Sequence, residues 1–374
     1  MTESEPVFAG IIDNCAECGS CRTGCAYLTR YGTPKALAGK FLSSFESDPV
    51  FPFECSLCGL CSSVCPKGLE PWKLFLSMRR ILTALGGGIR PGHSAILRFE
   101  RMGISRLFTF YALPEGCRTV FFTGCALPGS RPDKTYKAFT RLREIVPALG
   151  IVLDCCTKPS HDLGRHDRFL ALFGEMKNYL LEHGITTVLT ACPSCHHVFT
   201  EYGGSLEVRS VYEVLDGAWE GRGELSGAVV SVHDSCVGRF DVRVQSAVRS
   251  LLSKTGCRLD EMPHSGKNAC CCGEGGAVAA VSPELAARWT EMRRAEATGK
   301  KLVTCCAGCS AVLGKTMPAA HILDYLFEPQ AALAGRSRAS RSPMTWWNRI
   351  WLKAALRRMV GPALTGTRTA SKIQ

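Results

Sequence analysis

At 374 residues the chain is long enough for two to four domains, and a hydrophobic content of 46% suits a protein with real cores. Its 22 cysteines would suit a secreted disulfide scaffold, but the start "MTESEPVFAG" is acidic and has no apolar leader; the expectation is a reducing, cytoplasmic setting in which metal holds the thiols. Of the net charge of +12, residues 331–374 supply +9 with no acidic residue, leaving only +3 elsewhere, so nucleic acid is not the expected partner.

The first elements are two cysteine runs. "CAECGSCRTGC" places Cys15, Cys18, Cys21 and Cys25 at C-x2-C-x2-C-x3-C, and "CSLCGLCSSVCP" repeats the spacing at Cys55, Cys58, Cys61 and Cys65. Structural zinc sites use two cysteine pairs split by a longer loop, whereas three cysteines at successive x2 spacing wrap one face of a cubane. In the two-cluster ferredoxin arrangement the fourth cysteine of each run crosses to the other cluster. Cys15, Cys18, Cys21 and Cys65 are then the ligands of one [4Fe–4S] cluster, and Cys55, Cys58, Cys61 and Cys25 those of the other. Ala26 stands where proline usually follows the first run, which loosens a turn but removes no ligand. The 29 residues between the runs have room for a helix.

Past "GGGIRPGHS" the chain is duplicated. In the first half three strand-like runs end at Cys125, at Cys155 and Cys156, and at Cys192 and Cys195, with helical stretches between. In the second half, "AVVSVHDSC" ends at Cys236, a helix leads to "ACCCGEGG", and a further helix leads to "KLVTCCAGC". The halves close on matching segments, "VRSVYEVL" and "AAHILDYL". Short apolar strands alternating with helices predict parallel α/β units, whose strand ends share one edge. Every cysteine group is expected at such a strand end. The spacing C-x29-CC-x35-C-x2-C is matched by C-x34-CC-x33-C-x2-C only if Cys271, Cys272, Cys306 and Cys309 are chosen. Cys270, Cys305, Cys117 and Cys257 are left as small buried hydrophobes.

This constellation ("FFTGC", "CPSC", "HDSC", "CCGEGG" behind a ferredoxin pair) resembles the CCG cysteine-rich repeats of heterodisulfide reductases, over residues 10 to about 328. The same repeats occur in the iron–sulfur subunits of glycolate, lactate and glycerol-3-phosphate dehydrogenases, and the domain order resembles that of heterodisulfide reductases of the D type. The resemblance implies that each five-cysteine set holds a non-cubane [4Fe–4S] cluster: Cys125, Cys155, Cys156, Cys192 and Cys195 for the first, Cys236, Cys271, Cys272, Cys306 and Cys309 for the second. These ten cysteines would form the active centre, with a disulfide clamped between the clusters. Thr157 replaces the glycine expected after the first pair.

The expected fold class is α+β: a mostly helical two-cluster ferredoxin domain over 1–90, a linker over 91–116, and CCG domains over 117–220 and 221–330. His161, His196, His197 and His233 lie near the cysteine groups, either to donate protons or to tune the clusters through hydrogen bonds. Residues 331–374 form a basic tail, with a helix over 344–360 carrying Trp346, Trp347 and Trp351 beside Arg349, Lys353, Arg357 and Arg358. That helix is too short and charged to span a bilayer and reads as lying on an anionic membrane surface or docking on a protein. The stretches 334–343 and 365–374 read as disordered. The expected activity is disulfide reduction or its reverse. Alternatives are quinone-linked transfer from a flavin dehydrogenase and a pure electron carrier. No G-x-G-x-x-G follows a strand, so a flavin belongs to a partner flavoprotein, with a membrane haem or quinone-reactive protein as a further partner.

Overall fold

The computed structural model describes residues 5–44, 49–221, 223–360 and 363–368. The N-terminal part is helical, with Glu5–Asn14, Ala26–Tyr31, Pro34–Ser44 and Pro71–Ala84 packed around the two cysteine runs. In the last of these, Pro71 presets the first turn, and Leu74, Phe75, Met78 and Leu82 make one buried face against Phe8, Phe41, Phe51 and Tyr27. The helix expected between the runs is therefore two helices, broken at Gly32.

Residues 91–116 carry structure of their own: the helix Ser94–Gly103 and the strand β1, Phe110–Leu113. The first cysteine-rich unit follows with β2 (Thr119–Phe122), β3 (Gly150–Leu153), β4 (Thr187–Thr190) and β5 (Glu207–Ser210). The second has β6 (Val229–Val232), β7 (Arg258–Leu259), β8 (Leu302–Thr304) and β9 (Ala319–His321). Both units are parallel, and their orders, β3-β2-β4-β5 and β7-β6-β8-β9, are the same order repeated. A run such as "GIVL" is apolar and buried throughout because helices cover both faces. The fold class is α+β, as the sequence indicates.

Two expectations need correction. β7 is only two residues long, and the chain then wanders through 260–268 before reaching Cys270, so the triplet does not sit at a strand end. Nor are the flanks of the C-terminal helix loose where described. Ser340 N–H donates to Ser130 O, and a tenth strand, β10 (Leu364–Gly366), pairs antiparallel with β1, which itself pairs antiparallel with β3. Arg368 is buried beside Asp154 and Glu175. Residues 369–374 lie outside the described part.

Buried arginines join the units. Arg131, from the first, meets Asp324, from the second, at 2.8 Å with both side chains buried. Arg79 of the N-terminal domain donates to Pro52 O, Cys55 O, Asp162 O and Gly276 O, and so touches all three parts. Arg239 donates to Cys58 O and Ala269 O.

Candidate metal centres

All 22 cysteines are free thiols, and most of the grouped ones converge. Cys15, Cys18, Cys21 and Cys65 line one small cavity near the surface, where Cys18 is exposed. Cys25 is drawn instead into the electrostatic company of Cys55, Cys58 and Cys61, deeper in the protein. Both runs turn the same way. Glu17 and Gly19 in the first, and Leu57 and Gly59 in the second, have left-handed backbone. Glycine takes that conformation freely, while Glu17 and Leu57 hold it at a cost that points to a constrained site. Burial pushes Cys55 up to about 12 and Cys21 up to about 11. Thiols packed so closely in apolar surroundings stay protonated, and a soft cation that displaces the protons relieves the strain.

The cysteine-rich units repeat one pattern of sulfur contacts. Cys125 meets Cys155, and Cys156 meets Cys195. In the second unit Cys236 meets Cys271 at 3.9 Å, and Cys272 meets Cys309. The remaining members, Cys192 and Cys306, touch each other where the two units face. Each adjacent pair thus splits its sulfurs, one toward the first cysteine of the unit and one toward the last. Cys192 is held well below the usual thiol range by hydrogen bonds from Cys195 and Cys306 and from the backbone N–H groups at the start of the helix Pro193–Tyr202. Cys271 is lowered likewise by Cys236 and Cys272 and by the N–H groups of Gly273 and Gly275. The turn after each pair is left-handed, at Thr157 (φ 57°) and at Gly273 (φ 98°). Thr157 therefore adopts the glycine-like conformation despite its branched side chain.

Cys270 lies beside His264, Glu296 and Arg293 and shares a buried cluster with Cys236 and Cys271. Glu296 there is already claimed by Arg293 at 2.5 Å. Cys257 and Cys305 are buried in the main core, Cys117 in the cluster of Cys156 and Cys195, and Cys305 also lines the cleft beside Cys192. Among the histidines, His233 stands out. Fully buried, with neither ring nitrogen hydrogen-bonded among the described residues, it has a ligand atom within 4.8 Å of Cys272 and Cys309. Burial, helped by Arg293, pushes its pKa down to about 4, which keeps the ring neutral. His161 is tied to Asp162 and Tyr202, and His197 to Glu201.

A cleft of about 720 Å³ opens between the three parts, with Cys58, Cys192 and Cys236 in its wall. Lys158 and His196 line it, and both are paired: Lys158 with Asp162 at 2.7 Å, His196 with Asp241 at 3.0 Å and Thr190 at 2.9 Å. Burial raises Asp162, but Lys158 and His161 overcome it and hold the carboxylate well below its usual range. Lys158 also acts electrostatically on Cys156 and Cys236, one from each unit. Lys158, Arg79, Arg239 and Arg349 carry no spacing signal and are not found by reading the sequence for ligands.

The donor sets are all soft thiolate with a neutral imidazole beside one of them, which suits iron–sulfur clusters and excludes hard, oxygen-seeking cations. Residues 11–69 match the family described as 4Fe-4S dicluster domain, and residues 119–200 and 230–314 each match the cysteine-rich domain family named CCG. One relative, a component of the fumarate reductase (CoM/CoB) of Methanothermobacter marburgensis, is 27% identical over 308 residues, covering 73% of this chain and 60% of that protein. A component of the dihydromethanophenazine:CoB–CoM heterodisulfide reductase of Methanosarcina mazei is 23% identical over 363 residues, covering 80% and 87%. A probable membrane-anchored ferredoxin of Chromohalobacter salexigens is 23% identical over 305 residues, covering 72% and 45%. The chain thus spans less than two thirds of the first and third of these relatives.

Proposed function

The chain belongs with the heterodisulfide-reductase-like iron–sulfur electron-transfer proteins, a 4Fe-4S dicluster domain followed by two CCG domains, and on that premise we propose that it delivers electrons to a disulfide, or takes them from two thiols. Two cubane clusters, on Cys15, Cys18, Cys21 and Cys65 and on Cys25, Cys55, Cys58 and Cys61, would feed two CCG clusters on the five-cysteine sets. The single observation that carries this reading is the repeated sulfur pattern, with Cys192 and Cys306 in contact where the two sets meet and Cys192 and Cys236 open to one cleft. The inner ferredoxin set supports it as well, since Cys25 and Cys58 pack against Cys236 and Cys271.

When bound, the clusters would supply one-electron transfer. The protein's own residues do the rest. Reducing R–S–S–R′ to two thiols consumes two electrons and two protons. The Lys158 ammonium, anchored by Asp162, stands where a developing thiolate needs a positive neighbour. His196, fixed by Asp241 and Thr190, can carry protons in from the mouth. The cleft is closed on one side by the ferredoxin loop Leu57–Gly59, which limits water.

As partners we propose a flavoprotein or a membrane haem or quinone-reactive protein, with peripheral membrane attachment through the exposed Met344, Trp347 and Trp351. No helix among the described residues is long and apolar enough to cross a membrane. The test is the metal content. Anaerobically prepared protein should hold about sixteen irons, four for each of four clusters. A count near eight would leave only the ferredoxin domain loaded and overturn the CCG assignment.

A further inference from the structure

The C-terminal helix Met344–Val360 does not lie free. It packs on the helices Ala126–Ser130 and Pro132–Ile145, burying Leu352, Leu356 and Arg349 and leaving Met344, Trp347 and Trp351 outside. A leucine face turned inward needs no comment, but a guanidinium 3% exposed does. Burying such a charge is costly unless something compensates it.

The immediate surroundings of Arg349 compensate it poorly by ordinary means. Nη2 donates one hydrogen bond to Gly103 O at 3.2 Å, and Nη1 has no hydrogen-bond partner among the described residues. The Phe108 and Trp346 rings lie 4.7 and 5.5 Å from the guanidinium carbon and supply cation–π attraction. No carboxylate among the described residues pairs with it. Asp154 is near in charge terms but is engaged by Tyr111, by the Cys155 N–H and by Arg368. Among its ionisable neighbours Arg349 couples most strongly to Cys125 and Cys155, then to Asp154.

The approach is built in. A Cβ added at Gly103 would lie 3.5 Å from Cys155 Cβ and 3.8 Å from both terminal nitrogens of Arg349. One added at Gly129 would lie 3.1 Å from Thr345 O and 3.7 Å from Arg349 Cδ. At Gly103 that is ordinary van der Waals contact and places Arg349 against the Cys155 side chain, whereas at Gly129 the contact is tight and a side chain would make the start of the C-terminal helix give by a few tenths of an ångström.

The duplication shows what is unusual about this place. In the second unit the equivalent pair, Cys236 and Cys271, is flanked by Cys25 and Cys58 of the inner ferredoxin set. In the first unit the pair Cys125 and Cys155 is flanked by Arg349 instead. Electrons would arrive at the second site, and the first site has a permanent cation where the second has ferredoxin thiols.

Resting on the cluster reading above, we infer that Arg349 is a positioning residue of the first CCG site, whose fixed charge raises the potential of that site and makes it the electron sink of the pair. Reduction adds negative charge, and a buried cation favours the reduced form. The test is a redox titration followed by paramagnetic resonance, with the first-site signal identified as the one that Cys125→Ser abolishes. Arg349→Met should lower its midpoint by a tenfold or greater change in the reduced-to-oxidised ratio, about 59 mV for one electron. Arg349→Lys should restore most of it, and the cubane midpoints should not move. An unchanged midpoint in Arg349→Met, with the signal intact, overturns this inference and leaves the cluster reading standing. A wild-type protein without any signal beyond the cubanes overturns both. If Arg349→Met loads about four irons fewer and Arg349→Lys loads fully, the charge is required for the site. If both lose that iron, the role is packing and the inference fails.

Discussion

Arg79 offers the most direct probe of how the three parts are held together. Its side chain is fully buried over the Phe53 ring and makes four hydrogen bonds to main-chain oxygens, at 2.9 Å to Pro52, 2.5 Å to Cys55, 2.7 Å to Asp162 and 2.9 Å to Gly276. The first two acceptors frame the inner ferredoxin run, the third follows the first cysteine pair, and the fourth closes "CCGEGG". Arg79→Met keeps much of the bulk and strips all four donors. Each orphaned carbonyl costs about 1–3 kcal/mol, so the gross loss is roughly 4–12 kcal/mol. Removing a buried guanidinium returns several kcal/mol of desolvation, which leaves a net loss of about 3 kcal/mol. Amide hydrogen exchange at residues 53–58 and 273–276 should then accelerate on the order of a hundredfold, at about 1.4 kcal/mol per decade. Acceleration below threefold at those amides would show that the arginine does not dock the domains.

Cys271→Ser and Cys272→Ser should each remove the second CCG signal and about four irons, since a neutral hydroxyl is a poor partner for iron, while Cys270→Ser keeps both; the three resonance spectra decide. Loss with Cys270→Ser and retention with Cys272→Ser would move the pair by one residue. His93 is buried, and burial together with Arg79 and Arg90 lowers its pKa from 6.5 to about 4. A depressed value means the folded state resists protonation, so stability is full above pH 6.5 and is lost as pH falls toward 4. Between pH 7 and 5 denaturant titration should show a loss of about 2 kcal/mol that His93→Gln abolishes. An equal pH slope in the variant refutes the assignment. Thr157→Gly should leave the apparent melting temperature within a few degrees, because relief of left-handed strain, about 1–2 kcal/mol, offsets the entropy of glycine. Gly273→Thr should abolish the second site: a Cβ there would meet Ala286 O at 2.6 Å and Thr290 Oγ1 at 2.9 Å. A Gly273→Thr protein with full iron content would refute that.

The features legible in the sequence were those with short-range causes. The C-x2-C-x2-C-x3-C runs are legible because three ligands on one turn leave a local spacing. The duplication is legible because strands covered on both faces are near-continuous apolar runs, as in "GIVL". The odd position of Cys270 is read from register; its thiol has ligand atoms of His264 and Glu296 within 4.8 Å and shares a buried cluster with Cys236 and Cys271. What could not be read has long-range causes. Arg79, Arg239 and Arg349 look like helix or loop cations; Phe75 and Leu82 flank Arg79, and Trp346 and Leu352 flank Arg349, at helical spacing, but the oxygens and sulfurs that each arginine meets lie far away in the sequence. β7 shrinks to two residues because Asp260 N–H is the last to bond β6, at Val230 O, and the chain then leaves the sheet. The flanks of the last helix look disordered by composition, but Leu364–Gly366 finds an open edge at β1 and Arg368 finds Asp154.

The two cysteine-rich units, alike in strand order, sulfur pairing and left-handed turn, are made unlike by what the rest of the chain places against them. On the second, the N-terminal domain brings Cys25 and Cys58, with Arg239 bonding the Cys58 and Ala269 carbonyls to fix the approach. On the first, the C-terminal helix brings Arg349 and Trp346, with Phe108 from the segment before β1 closing over the guanidinium. A duplicated pair with identical surroundings would have no reason to order its potentials, and electrons would be shared between equal sites. Different neighbours break that equivalence without changing a ligand. On the proposed cluster reading, the thiols that one end of the chain brings and the cation that the other brings would give a symmetric core a direction.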